Sequence, residues 1–92
     1  MEYGYANNKP PLLKRLKRAE GQVRGIAQMV EGDRYCIDIL TQIGAVQAAL
    51  DKVAVELVRD HAKHCLHNEH VGPKGQDAKA DELADAIERL LK

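Results

Sequence analysis

The stretch from Tyr35 to about His67 contains no proline and a single glycine, Gly44. That predicts one helix of more than thirty residues, longer than the ~8–20 usual for a globular helix. A helix of that length needs a partner along it. Within the stretch, Cys36, Leu40, Ile43, Gln47, Leu50, Ala54, Leu57 and His61 recur at alternating steps of four and three residues. Such a row is the seam along which one helix packs on another. Cys65 continues it one turn beyond His61.

Two further helices fit around this one, and no strand pattern is present. The first starts near Pro10-Pro11, since proline is tolerated in a first helical turn, and stops at Gly32. Its expected packed face carries Leu12, Leu16, Ala19, Val23, Ile26, Ala27 and Val30. Asp33 is placed to cap the long helix. The segment VGPKG, residues 71–75, breaks the chain, and a short helix follows from about Asp77 to Leu91. Leu83, Ile87, Leu90 and Leu91 are its apolar stripe. Ninety-two residues with no Trp and no Phe build only a small aliphatic core. Oligomerisation is the expected source of further burial. The expected fold is therefore all-α: three helices per chain in an antiparallel helical-bundle dimer, itself paired into a dimer of dimers. Residues 1–92 form one domain, with 1–9 as a flexible arm.

Cys36, His61 and Cys65 lie on the seam at its two ends. His61 and Cys65, at i and i+4, project from adjacent turns as neighbours. Cys36 is twenty-five positions before His61, roughly 37 Å along a helix at about 1.5 Å per residue. Metal–ligand bonds of about 2.0–2.3 Å cannot close over that distance within one helix. An antiparallel copy crossing near Leu50 would bring Cys36 of one chain to His61 and Cys65 of the other, and two-fold symmetry would give two equivalent sites. Two thiolates and an imidazole suit Cu(I); zinc would want a fourth donor, from His64 or water. A plainer reading, with both cysteines as small buried hydrophobes and His61 an interface histidine, stands beside it.

His61, His64, His67 and His70 recur every third residue. On a helix that step turns by about −60°, so the four fan around the cylinder and cannot share one ion. His67 and His70 read as surface residues. Gly21 and Gly25 form a GxxxG pair suited to close packing against a neighbour.

Fourteen basic and fourteen acidic residues balance overall, which excludes a uniformly basic coat. The balance hides a polarity. Residues 1–24 carry six Lys/Arg against two acids, net +4, and residues 25–92 carry eight against twelve, net −4. Lys14, Lys17, Arg18 and Arg24 lie opposite the first helix's apolar face, with Arg15 at its border. Such a face is either simple solvation or a surface for DNA phosphates. No C₂H₂ or helix-turn-helix pattern accompanies it. No stretch approaches the ~20 apolar residues of a membrane helix, and the N-terminus lacks a secretory pattern. The cytosol is the expected compartment, where two cysteines are thiols. A small helical bundle offers little of the pocket that catalysis needs, so no enzyme activity is expected.

The stretches LKRLKRAEGQVRGIAQMVEGDRYCIDILTQIGAVQAAL, HAKHC and ADELADAIERLL resemble the copper-sensitive operon repressor family of metal-sensing transcriptional repressors, over residues 9–92. The resemblance implies a helical dimer, usually paired into a tetramer, that binds operator DNA when metal-free and releases it on binding Cu(I). It places Cys36, His61 and Cys65 at the Cu(I) ligand positions. Nickel and cobalt sensors add an N-terminal histidine, absent from Glu2-Tyr3-Gly4-Tyr5. Sulfur sensors carry cysteine where His61 stands. Formaldehyde sensors have proline where Glu2 stands. The resemblance further places Tyr35 and Glu82 as hydrogen-bond partners of the ligand histidine, and Arg15 and Lys52 at DNA-contact positions. Lys52 keeps the charge of the commoner arginine but lacks its bidentate fork. A zinc or reactive-sulfur inducer, or a copper buffer indifferent to DNA, are the alternative functions.

Overall fold

A row of residues at three- and four-residue spacing on the first helix faces a matching row on the second, and this pairing organises the fold. The computed structural model describes residues 5–66 and 73–91, with side chains outside that description at 64–66 and 73–77. A 3-10 turn, Ala6–Asn8, leads into α1, Lys9–Glu31; α2 is Cys36–Leu66 and α3 is Pro73–Leu91. There is no strand among the described residues. Regular backbone thus begins at Ala6, inside the segment expected to be a flexible arm. Pro10 and Pro11 occupy the first turn of α1, where a missing N–H loses no helical bond.

The chain divides into two compact units, Asn7–Glu56 and a second formed by Met1–Ala6 with Leu57–Lys92. In the first unit, α1 and the first two-thirds of α2 form an antiparallel helical hairpin. Its buried residues are Leu12 and Ala19 on α1 and Val46 and Val53 on α2, each pair seven residues apart. Arg15, Gln22, Ile26 and Met29 continue the α1 row, half-buried; Ala49 and Glu56 do so on α2.

The packed face of α1 is therefore rotated from the one its apolar pattern suggests. Leu12, Ala19 and Ile26 turn inward, whereas Leu16, Val23, Ala27 and Val30 are exposed. The expected stripe merges two adjacent rows, both apolar, of which only one meets α2.

The link between the helices also differs from expectation. Gly32 N–H donates to Gln28 O at 2.9 Å, Asp33 N–H to Val30 O at 3.2 Å and Arg34 N–H to Met29 O at 3.0 Å. The last two bonds are the pair that defines a Schellman ending. The left-handed residue is Asp33, with φ 56°, while Gly32 has φ −87°. Aspartate is among the few non-glycine residues that tolerate this region. Asp33 therefore closes α1 and does not cap α2. The carbonyl of Tyr35 accepts the first α2 bonds, from Asp38 at 3.1 Å and Ile39 at 3.3 Å.

In the second unit, α3 begins at Pro73, four residues before the expected Asp77, because Pro73 serves as a first-turn residue and does not break the helix. Leu83 and Ile87 are half-buried and Leu90 and Leu91 exposed, so only the first half of the expected stripe is covered. The described helices include none long and apolar enough to cross a membrane.

Candidate metal and nucleic-acid site

Cys36 is the first residue of α2, and it is an exposed thiol outside any disulfide. His61 lies on the same helix and is half-buried. Cys65 lies on the last turn of α2; its side chain and that of His64 are outside the described residues, as are His67 and His70 altogether. Among the described residues, no cluster of three His, Cys, Asp or Glu forms a metal cradle within one chain.

The row that carries these positions borders the buried one: Ile43, Ala54 and His61 are half-buried, and Cys36, Leu40, Gln47, Leu50 and Leu57 are exposed. Leu40 is 58% exposed, Leu50 44% and Leu57 37%, although all three are large aliphatics at heptad spacing. Two apolar rows thus run along α2. The row of Val46 and Val53 is buried in the hairpin, and the row of Leu40, Leu50 and Leu57 is left uncovered. Exposed aliphatics at that spacing are the pattern of a helix surface that packs on another helix.

Tyr35 directly precedes α2 and is exposed. Glu82 is exposed on α3, 3.9 Å from Lys79 one turn earlier.

The cations of α1 fall into two groups. Lys14, Lys17 and Arg18 are exposed and, among the described residues, form no ion pair. Arg24 pairs with Glu20 at 2.9 Å, but both side chains are about two-thirds exposed, and such an i,i+4 pair contributes only ~0.3–0.5 kcal/mol. Arg15 differs. Its Nη2 lies 3.5 Å from Oε1 of Glu56 on α2, with side chains 40% and 21% exposed. Lys52 is exposed on α2. Glu56 is a residue that sequence reasoning missed. The available signal was an acid standing in the row Val46, Ala49, Val53, where an apolar residue is the norm.

Among the described residues, the glycine pair of α1 serves no close packing. A Cβ at Gly25 would meet nothing within 4 Å, and one at Gly21 only the Arg24 side chain at 3.7 Å.

Comparison with known proteins assigns the family. The profile of the metal-sensitive transcriptional repressors matches residues 8–89. The chain belongs to that family. These proteins are repressors of transcription and not enzymes. The chain is 50% identical over 91 residues, 98% of its length and 95% of the relative's, to the copper-sensing transcriptional repressor RicR of Mycobacterium tuberculosis. Among solved structures it is similar to the copper-sensing repressor CsoR with Cu(I) from Geobacillus thermodenitrificans, with TM-score 0.79 and 46% identity, over 94% of this chain and 88% of that one. It is also similar to the nickel-responsive transcriptional regulator InrS, with TM-score 0.73 and 34% identity, over 88% and 90% of the two chains. The shared scaffold serves regulators named for different metals.

Proposed function

We propose that this chain is a Cu(I)-responsive transcriptional repressor, active on operator DNA in the cytosol, with residues 1–92 acting as one metal-sensing, DNA-binding domain. The observation that carries the reading is the outward apolar row of α2. Cys36 and His61 belong to the same row as the uncovered Leu40, Leu50 and Leu57, so a helix that covers those leucines also reaches the donors. A second copy laid antiparallel satisfies both demands. Each site then takes Cys36 from one chain and His61 with Cys65 from the other, in a homodimer that pairs further into a tetramer.

The residues present fit Cu(I) by the chemistry of their donors. Two thiolates and one imidazole are soft ligands, and a set of three suits a monovalent soft ion better than harder cations that demand more donors. Bound there, Cu(I) supplies a soft cation that favours the deprotonated thiols. The resemblance to copper-sensing relatives points the same way.

His61 uses one ring nitrogen as the donor, and we assign Tyr35 and Glu82 to its other nitrogen. A hydrogen bond there fixes the tautomer and ring orientation of a ligand histidine. Because Glu82 lies on α3, that bond ties α3 to the long helix. The DNA contacts are assigned to Lys14, Arg15, Lys17, Arg18 and Arg24 on α1 and Lys52 on α2. An oligomer repeats this face and raises its local charge density. Release of DNA is then a coupling free energy between two sites, equal in both directions.

The test is fluorescence anisotropy of a labelled duplex from upstream of the chain's own coding region, titrated anaerobically with Cu(I). Wild-type protein should bind the duplex and release it as Cu(I) is added, while Cys36→Ala should bind and not release. A Cys36→Ala response equal to wild type would reject the assignment.

A further inference from the structure

The basic face of α1 carries one cation that is tied to another helix. Lys14, Lys17 and Arg18 stand exposed, Arg24 is held only by a solvent-exposed acid on its own helix, and Arg15 alone is paired across the hairpin. Its partner, Glu56, is the more buried of the two side chains, with Oε1 3.5 Å from Nη2 of Arg15. An exposed pair is screened by water and breaks at little cost when a phosphate arrives. A carboxylate only one-fifth exposed is screened less by water and salt than one on the open surface.

We infer that Glu56 masks Arg15: its carboxylate is a built-in competitor for the phosphate that Arg15 meets, and it sets how tightly the metal-free chain holds DNA. This rests on the proposed reading of α1 as the DNA-binding face. A guanidinium carries five N–H donors, more than one carboxylate can occupy, so Arg15, whose side chain is 40% exposed, keeps donors for a phosphate. Binding is weakened, not blocked, because the incoming phosphate meets a cation already half-neutralised and a second anion beside it. A repressor that must let go of DNA has use for such an attenuator.

The experiment measures duplex affinity against salt for wild type, Glu56→Gln, Arg15→Ala and the double variant, all metal-free, by anisotropy with the same labelled duplex. Glu56→Gln keeps the side chain's shape and removes its charge. It should tighten binding about three- to ten-fold near 0.1 M salt and steepen the slope of log K against log salt by up to about 0.9, one phosphate contact. Arg15→Ala should weaken binding, and in that background Glu56→Gln should change affinity by less than about two-fold. Circular dichroism and sedimentation of each variant, unchanged from wild type, exclude a gain through non-specific binding by a damaged chain. Glu56→Asp, whose shorter arm withdraws the charge, should give an intermediate gain.

Unchanged or weaker binding by Glu56→Gln overturns the masking. So does an equal gain in the Arg15→Ala background, which marks a general loss of negative charge. Lys17→Ala with Arg18→Ala separates this from the underlying reading. If that variant loses DNA while Glu56→Gln has no effect, the face stands and the masking falls. If it binds DNA as wild type does, α1 is not the DNA face and both fall.

Discussion

Arg15 on α1 and Glu56 on α2 form an ion pair of 3.5 Å in the same inter-helix rows that otherwise carry Leu12, Ala19, Val46 and Val53. The four-residue link between α1 and α2 forces the antiparallel sense, and the pair adds a small preference for the register that brings these charges together. Its partial burial places it above a surface pair in strength and well below a buried one. A double-mutant cycle with Arg15→Ala and Glu56→Ala in chemical denaturation should give a coupling of about 0.5–1 kcal/mol. A coupling near zero would mean the pair contributes nothing to hairpin stability.

Gln22 occupies the α1 row between Ala19 and Ile26, and its Oε1 is buried with no hydrogen-bond partner among the described residues. A buried acceptor left unmade costs about 1–3 kcal/mol. Gln22→Leu, similar in volume, should therefore raise stability by about 1 kcal/mol or more, seen as a higher melting temperature. A lower one would show that the amide has a partner in the assembled protein.

Asp33 holds the left-handed position that ends α1. A β-branched residue is strained there, since that region costs an L-residue roughly 1–2 kcal/mol and Asp and Asn escape part of it through local hydrogen bonding. Asp33→Val should destabilise the fold by about 1–2 kcal/mol while Asp33→Asn stays close to wild type, both read by thermal melts. Equal effects of the two changes would contradict the conformational account.

Leu50 is exposed in the chain, in the middle of the outward row of α2. If a second copy covers that row, Leu50→Glu buries a charge in an apolar interface and should convert the oligomer to monomers in sedimentation. Leu13→Glu is the control, exposed to a similar degree on α1 but outside that row. Oligomers that survive Leu50→Glu unchanged would move the interface elsewhere.

Much of this was legible in the sequence because helices announce themselves by spacing. The proline-free stretch gave α2 to within a residue at each end, and the Cys36–Leu40–Leu50–Leu57 row was visible as a seam. What spacing does not reveal is which of two neighbouring apolar rows a helix turns inward. On α1, Leu12 and Leu16 are equally apolar, yet only Leu12 is buried. The choice depends on where α2 lies. Turn chemistry misled in a similar way. Gly32 looks like the left-handed residue, but the Schellman bonds place Asp33 there, and Pro73, read as a break, begins α3. The Arg15–Glu56 pair joins residues distant in sequence, and no local pattern links them. The proposed donor set rests on measuring α2 as a ruler, because Cys36 and His61 share one helix but not one place.

The central claim is that each metal site is completed by two chains, and mixed dimers test it most directly. Cys36→Ala chains are combined with chains carrying both His61→Ala and Cys65→Ala, and Cu(I) binding is measured anaerobically against a chromophoric chelator. A shared site predicts that neither variant alone binds Cu(I) tightly, and that the mixed dimer regains one tight site per two chains, assembled from the intact Cys36 of one and the intact His61 and Cys65 of the other. A site contained within a single chain predicts no recovery on mixing, and that result would contradict the account.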